Sequence, residues 1–237
     1  MAGFPSQAIE SILTGMLGYR ALKRAFDIGA ALLGLALLLP LLLLIGVAVR
    51  LTSKGPALYW SIRAGRNHTP FAMPKFRSMR TDTPPIPAHL LDAEQWVTPF
   101  GRWLRATSLD ELPQLWSVLR GDMSLVGPRP ALIDEHDALE PRRQFGVDAL
   151  KPGMTGLAQI TDRRLSPSAK VQVDADYAAR RSFGLDMVIL LRTPIHCVRE
   201  MLRHRSSHPD LNDGTIPVEL AKPDTSGGSS SVIRIAA

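Results

Sequence analysis

Two adjacent carboxylates, Asp110 and Glu111, sit in the stretch Thr107-Ser108-Leu109-Asp110-Glu111-Leu112-Pro113 of a basic chain. Arg102 and Arg105 precede them, Lys75 lies in an earlier charged stretch, and a Gly127-Pro128-Arg129-Pro130 turn follows. Carboxylates among cations stay ionised. An ionised Asp can attack phosphorus to form an aspartyl-phosphate type intermediate, but a phosphate repels it. A divalent metal removes that repulsion. Magnesium prefers one or two carboxylates plus substrate phosphate oxygens, which this acid pair can supply.

Neighbouring acids point about 100° apart on a helix and to opposite faces of a strand. A helix start is the exception, and Pro113 marks one, because a proline without an amide hydrogen fits only the first turn. The cap then falls at about Asp110 to Leu112. A plainer reading accounts for the pair as an N-cap Asp and a first-turn Glu favoured by the helix dipole. The company of Lys75, Arg102, Arg105 and Arg129 favours an anion-handling site, since a helix N-terminus also offers free amides to anions. The Gly-Pro-Arg-Pro turn presents one guanidinium on a rigid backbone, suited to gripping phosphate.

Other candidates carry less. Asp174-Ala175-Asp176 matches an Asp-x-Asp metal motif, but in a helical context it reads as a solvated face. Arg120-Gly121-Asp122 reads as a helix stop, and Arg163-Arg164 as a basic loop. No P-loop and no Gly-x-Gly-x-x-Gly follows a strand, so ATP and dinucleotide folds have no support. The six histidines lack metal-ligand spacing and read as surface residues. The single Cys197 excludes an internal disulfide and reads as a small buried apolar residue.

The elements that position these residues begin with Ile28 to Val49, apolar but for three glycines and Pro40, and long enough to cross a bilayer. Hydropathy alone favours a single span. Basic flanks on both sides (Arg20, Lys23 and Arg24 before; Arg50 and Lys54 after) would keep both ends in the cytoplasm. Pro40 near the midpoint bends the helix, which permits a re-entrant hairpin. The residues alone leave span and hairpin open. Residues 1–19 carry an Ile9, Ile12, Leu13, Met16, Leu17 stripe, expected to form an amphipathic interfacial helix.

Ala57 to Trp60 and Pro70 to Phe76 read as strands around the polar turn Gly65 to Thr69, and Thr81 to Pro87 as a loop. Phe100 to Leu104, Leu112 to Leu119, Ala131 to Phe145, Val171 to Arg181 and Asp186 to Arg203 read as helices, the last interrupted by Pro194. That last helix is either a second interfacial contact or a core-packing element. From about His204 the composition predicts disorder. The fold class is therefore mainly α with a small β element (α+β). The organisation is 1–19 amphipathic, 20–54 membrane, 55–203 catalytic and 204–237 tail. With 28 basic and 22 acidic side chains, nucleic acid, anionic lipid and phosphorylated compounds are the possible partners. No RNA-binding or zinc-finger signature supports nucleic acid.

Taken together, several stretches resemble the monotopic phosphoglycosyl transferases, bacterial sugar transferases that load a sugar phosphate onto polyprenyl phosphate. They include Lys23-Arg24-Ala25-Phe26-Asp27, Lys75-Phe76-Arg77-Ser78-Met79, Thr107 to Gln114, Leu119 to Pro130 and Lys151 to Gln159. The resemblance covers roughly residues 20–203 and is most specific from Arg105 to Pro130. It implies a monotopic protein whose re-entrant helix breaks at Pro40, with its catalytic domain on the cytoplasmic face of the bacterial inner membrane. It also implies a ping-pong reaction. The residue matching Asp110 attacks the β-phosphorus of a UDP-sugar and releases UMP, and polyprenyl phosphate then takes the phosphosugar. Glu111 would assist magnesium, Lys75 and Arg105 would contact phosphates, and Arg129 and Arg163 match nucleotide-sugar positions.

The chain departs from the pattern at Leu39 before the kink proline, at Ser61, at His68, and at Thr161-Asp162-Arg163 in place of Asn-Gly-Arg. It reads as the short catalytic form, without a multi-span N-terminal region. Two rival readings are a non-catalytic membrane scaffold of this fold and an Asp-x-Asp glycosyltransferase that releases UDP.

Overall fold

A computed structural model describes residues 6–84, 93–161 and 165–207. Arg163, the Ile9 to Leu17 side-chain stripe, residues 85–87 of the expected loop and the tail beyond residue 207 lie outside the described residues.

Helix α1, Ser6–Thr52, takes in the whole apolar run and continues through Pro40 as one helical element. Strands β1, Leu58–Ala64, and β2, Pro70–Phe76, form an antiparallel hairpin with Leu58 opposite Phe76 and Ala64 opposite Pro70. Its turn uses Asn67 and His68 at positive φ, a conformation that Asn tolerates better than most residues. Helix α2, Pro99–Thr107, starts where Thr98 accepts from the Gly101 amide at 2.9 Å and Pro99 occupies the first turn. Helix α3, Leu115–Arg120, ends at Gly121 in the left-handed region, the stop expected there.

Strand β3, Ser124–Val126, pairs in parallel with β4, Gly153–Thr155. Between them lies α4, His136–Gln144, and after them come α5, Leu157–Thr161, α6, Pro167–Arg180, and α7, Phe183–Ser207. The architecture is mainly helical with small β elements, in the class the residue patterns predicted, and it holds two small sheets. The β3–β4 pair went unpredicted, because three-residue strands carry no readable alternation. Helix α7 runs through Pro194 without interruption.

The apolar helix belongs to the core. Ala31 is fully buried with Phe71 and Met73 of β2, Val118 of α3 and Met123. Further along, Ile45 and Val49 pack with Phe76 and Leu104. Polar contacts tie both ends of the run to the same body. At the first end, Lys23 pairs with Asp186 at 2.8 Å, Asp27 accepts the Leu125 amide, and Arg24 donates to the carbonyls of Val118 and Leu119. At the other, Arg77 donates to the Ser53 carbonyl and hydroxyl at 2.9 and 2.7 Å.

The remaining face of α1 is exposed and apolar, with Leu37 at 70% and Leu51 at 81%. Helix α7 packs on the core along one side and leaves an apolar stripe exposed along another. Ile189 is fully buried against Val126 and Tyr177, while Leu191, Ile195, Val198 and Leu202 form an exposed stripe at helical spacing. Trp103 and Trp116 are also half-exposed. Apolar surface of this extent marks an interaction face rather than ordinary solvent exposure.

Helix α2 approaches the chain after β2 so closely that a Cβ at Gly101 would stand 2.0 Å from the Ser78 carbonyl oxygen. Helix propensity alone predicts that Gly101→Ala is stabilising by about 1 kcal/mol. The packing predicts the reverse: a thermal midpoint in detergent lowered by about 5 °C or more. Gly184→Ala, with open space around its Cβ, should leave the midpoint unchanged or raise it. An unchanged midpoint for Gly101→Ala would show that the α2 contact is looser than described.

Candidate active site

The acid pair lies in a short 3₁₀ segment, Leu109–Gln114, that joins α2 to α3. Ser108 adopts the left-handed conformation, with φ of 57°, closing α2 and opening this segment. The Glu111 amide bonds the Ser108 carbonyl at 3.2 Å. The expected helix cap at Asp110 to Leu112 is thereby corrected: Pro113 sits inside the 3₁₀ segment, and the α-helix begins two residues later. A 3₁₀ turn of three residues sets successive side chains about 120° apart. Asp110 is accordingly buried, at 7% exposure, while Glu111 is half-buried and turned toward the cations.

Those cations come from separate elements. Lys75 is on β2, and Arg129 is in the Gly-Pro-Arg-Pro turn after β3. Lys75 Nζ and Arg129 Nη2 both reach Glu111 Oε1 at 2.9 Å. Arg129 is thus half-exposed yet anchored to the acid pair, and Lys75 is not a free charge on a strand. The turn is held by the β4 segment: the Gly153 amide bonds the Pro128 carbonyl at 2.8 Å, and the Gly127 amide the Thr155 carbonyl at 2.9 Å. Backbones meet so closely that a Cβ at Gly153 would lie 2.1 Å from the Gly127 nitrogen. Glycine is required there for proximity.

Arg105, in the last turn of α2, donates from Nε to Ser78 Oγ at 2.8 Å, and its charge acts on Asp110. Arg102 is exposed on the same helix. Sequence reasoning missed Arg63 as a site residue. On β1, its Nε donates to Ser61 Oγ at 2.9 Å and its Nη1 to the Pro130 carbonyl at 3.4 Å, behind Arg129. The signal was present in the alternation of β1, which turns residues 61 and 63 to the same face. Pro40 lies within α1, in the apolar helix rather than among the acids.

Asp174 also differs from expectation. It is 2% exposed and paired with Arg142 at 3.4 Å, whereas Asp176 is exposed and pairs with Arg180 one turn on. The Asp-x-Asp stretch is half structural ion pair and half surface, and its two carboxylates do not share a site.

The two central acids are driven apart electrostatically. Burial, then the neighbouring Glu111 charge, raises Asp110 to about 6 against the pull of Lys75, Arg105 and Arg129. Burial also pushes Glu111 upward, but Arg129 and Lys75 outweigh it and hold that carboxyl at about 2. Glu111 is therefore a permanent anion, and Asp110 is a carboxylate poised just below neutrality. Among the described residues, no hydrogen bond engages the Asp110 carboxylate or Glu111 Oε2. Those free oxygens fit a magnesium ion that completes its shell with phosphate oxygens and water. No cluster of three or more metal-ligating side chains occurs among the described residues.

Because the fold favours the protonated form of Asp110, the native chain retains a proton that the unfolded chain releases between about pH 4 and 6. Stability contributed by that proton is present at low pH and lost as pH rises through about 6. Asp110→Asn should then stabilise the chelator-treated protein at pH 7.5 by on the order of 2 kcal/mol. The gain should disappear near pH 4. Equal thermal shifts at both pH values would contradict the buried-carboxylate assignment.

Residues 18–200 match the bacterial sugar transferase family. The chain is 44% identical over 182 residues to the UDP-glucose:undecaprenyl-phosphate glucose-1-phosphate transferase of Caulobacter vibrioides, a match covering 72% of this chain and 67% of that protein. It is 40% identical over 186 residues to the undecaprenyl-phosphate glucose phosphotransferase of Komagataeibacter xylinus, covering 72% of this chain and 35% of that one. Identity to the undecaprenyl-phosphate galactose phosphotransferase of Salmonella typhimurium is 37% over 191 residues, or 73% and 40% of the two chains. The chain thus spans well under half the length of the last two relatives. With the family match extending from the membrane helix through the acid pair to α7, the chain belongs to the bacterial sugar transferases, enzymes of the phosphoglycosyl transferase type.

Proposed function

We propose that this chain transfers a sugar 1-phosphate from a UDP-sugar to undecaprenyl phosphate, a polyprenyl phosphate, through a covalent intermediate on Asp110. The observation that carries the reading is the buried, unbonded Asp110 carboxylate beside a Glu111 clamped by Lys75 and Arg129. An Asp110 oxygen attacks the β-phosphorus, a phosphorus–oxygen bond forms, and the bond to the bridging oxygen breaks. UMP leaves with that electron pair. A phosphate oxygen of the polyprenyl acceptor then attacks the same phosphorus and frees the carboxylate. One phosphoanhydride replaces another, so positioning and charge stabilisation suffice.

Lys75, Arg105 and Arg129 hold the diphosphate, and Arg63 adds positive charge behind Arg129. Magnesium, bound by Asp110 and Glu111 together with substrate phosphates, would supply charge neutralisation at the transferred phosphoryl group. Arg163 remains assigned to the nucleotide-sugar by resemblance. The Asp-x-Asp alternative is disfavoured by the burial of Asp174 against Arg142.

The lipid acceptor requires a membrane address. We read α1 as a re-entrant helix bent at Pro40, with the catalytic domain on the cytoplasmic face. Support comes from the ties at both ends of the apolar run to one body. Asp27 and Val49 are separated by about 33 Å of helix contour at ~1.5 Å per residue, comparable to a bilayer core. A straight span would carry the polar contacts of one end across the membrane. The exposed stripe of α7 and the two tryptophans would then lie in the interface.

In bilayer nanodiscs with magnesium and undecaprenyl phosphate, the full chain should release UMP from one member of a UDP-sugar panel. Release of UDP alone would overturn the covalent mechanism. Asp110→Asn should abolish the phosphosugar adduct seen by intact mass, and Glu111→Gln should slow its formation by about 100-fold or more. In the native enzyme, adduct formation should rise about tenfold per pH unit below pH 6 and level above it. Topology is tested separately in a Cys197→Ser background carrying single cysteines in place of Gly18 or Lys54. Both should label only from the cytoplasmic side, and periplasmic labelling of position 18 would restore a spanning helix.

A further inference from the structure

A cavity of about 220 Å³ opens at the start of the membrane helix and is not lined by the acid pair. Six cations line it: Arg20, Lys23 and Arg24 from α1, Arg66 from the β1–β2 turn, Lys151 before β4, and Arg181 after α6. Asp27 is the one carboxylate on its wall, and that group accepts the Leu125 amide. Such a concentration of one charge costs free energy unless a counter-charge enters.

Some of the six have structural employment. Lys23 pairs with Asp186, Arg24 binds the last carbonyls of α3, and Arg181 donates to the Ala178 carbonyl. Among the described residues, Arg20, Arg66 and Lys151 make no hydrogen bond or ion pair within reach of a carboxylate. Burial and then the Arg24 charge depress the Lys151 ammonium; Asp27 opposes them, Arg66 adds to the depression, and Asp122 opposes it least. A second observation is independent of charge. Ser124 also lines the cavity, is 2% exposed, and its Oγ has no hydrogen-bond partner. Buried hydroxyls are ordinarily satisfied, so this donor awaits an acceptor.

The geometry points to a phosphate-binding site here, distinct from the catalytic one, taking the phosphate of a membrane-lipid headgroup or of a small free phosphorylated compound. Cations and a hydroxyl donor around a small cavity suit a phosphate's charge and its multiple acceptor oxygens. The volume lies below the roughly 300–1,000 Å³ of sites for drug-sized ligands, so it fits a phosphate with a small substituent. Its place also matters. Arg20, Lys23 and Arg24 immediately precede the apolar run beginning at Ile28, which sets the opening at headgroup depth. The catalytic acids precede the start of α3, whereas Arg24 binds its last carbonyls, so α3 separates the two sites. A filled site would neutralise charge beside the Lys23–Asp186 and Arg24–α3 contacts that hold the membrane helix to the body.

The test reads the acylation rate of Lys151 by a neutral amine-reactive reagent, followed by peptide mass, on the full chain in nanodiscs. Exposed Lys54, at the other end of the membrane segment, is the internal reference. Three conditions are compared: phosphatidylcholine alone, phosphatidylcholine doped with phosphatidylglycerol, and phosphatidylcholine with inorganic pyrophosphate. A ligand at a few times its dissociation constant should slow Lys151 about fivefold while Lys54 is unchanged. Protection by phosphatidylglycerol alone assigns a lipid headgroup, and protection by pyrophosphate assigns a free phosphate. Arg66→Gln and, separately, Ser124→Ala should each reduce the protection at least twofold with an unchanged thermal midpoint. If neither probe protects Lys151, or if Lys54 slows in parallel, the site does not exist as described.

Discussion

One carboxylate oxygen holds three distant parts of this chain together. Glu111 Oε1 receives Lys75 from the hairpin and Arg129 from the Gly-Pro-Arg-Pro turn, each at 2.9 Å. Those residues lie 36 and 18 positions away in sequence. A partly buried carboxylate is costly without partners, so the trio stands or falls as a unit. The same negative charge contributes to raising its neighbour Asp110. Assembly of the cations and tuning of the other acid are two effects of one group. Remove the charge, and two cations lose their anchor while Asp110 loses its main like-charge neighbour.

This clamp is suspended on the apolar helix. Leu109, next to Asp110, and Phe76, next to Lys75, both belong to the cluster that buries Ile45 and Val49. Leu115, just beyond the 3₁₀ segment, comes within 3.3 Å of a Cβ position at Gly34. Each side of the acid pair is therefore one or a few residues from α1. The proposed transfer from a soluble donor to a bilayer-borne acceptor would need its nucleophile at a fixed depth, and these apolar contacts would supply a rigid offset. The side chains of α1 that pack on the body are buried in the core, while the other apolar ones lie on the opposite, exposed face. Hydropathy sums both populations, which is why it identified the segment without revealing that it doubles as a core element.

The same distinction explains what the sequence made legible. Asp110, Glu111, Lys75 and Arg129 could be nominated because residue type and local punctuation limit what a charged group does beside prolines and glycines. The two strands of the hairpin were readable around their polar turn, although the first was ended at Trp60 and runs on to Ala64. The helix start was misplaced because Pro113 was treated as a first-turn α residue, and a 3₁₀ segment accommodates it equally well. Asp174 was misjudged for a different reason: its burial depends on Arg142, 32 residues earlier, and no local pattern encodes that partner. The three-residue β3–β4 pairing likewise rests on backbone bonds between distant segments, from the Ser124 amide to the Pro152 carbonyl and from the Gly127 amide to the Thr155 carbonyl, which bring the Arg129 turn into place.

Ser61 shows how a departure from the family pattern can be absorbed. Its hydroxyl accepts from Arg63 Nε, and Arg63 reaches the carbonyl of Pro130, so a short side chain still fixes the guanidinium behind Arg129. Burial and then the Arg129 charge work against the protonated Arg63, offset by Glu135 and Glu111. Guanidinium groups remain charged under such pressure, where a lysine ammonium would give up its proton. Lys75, Arg63, Arg105 and Arg129 thus face two carboxylates, one of them half-titrated near pH 6. Positive charge held in excess by the fold would complement the diphosphate of the proposed donor and is organised without it, which would leave little reorganisation for the reacting state. The free protein bears the repulsion, and Glu111 is the group that makes it bearable.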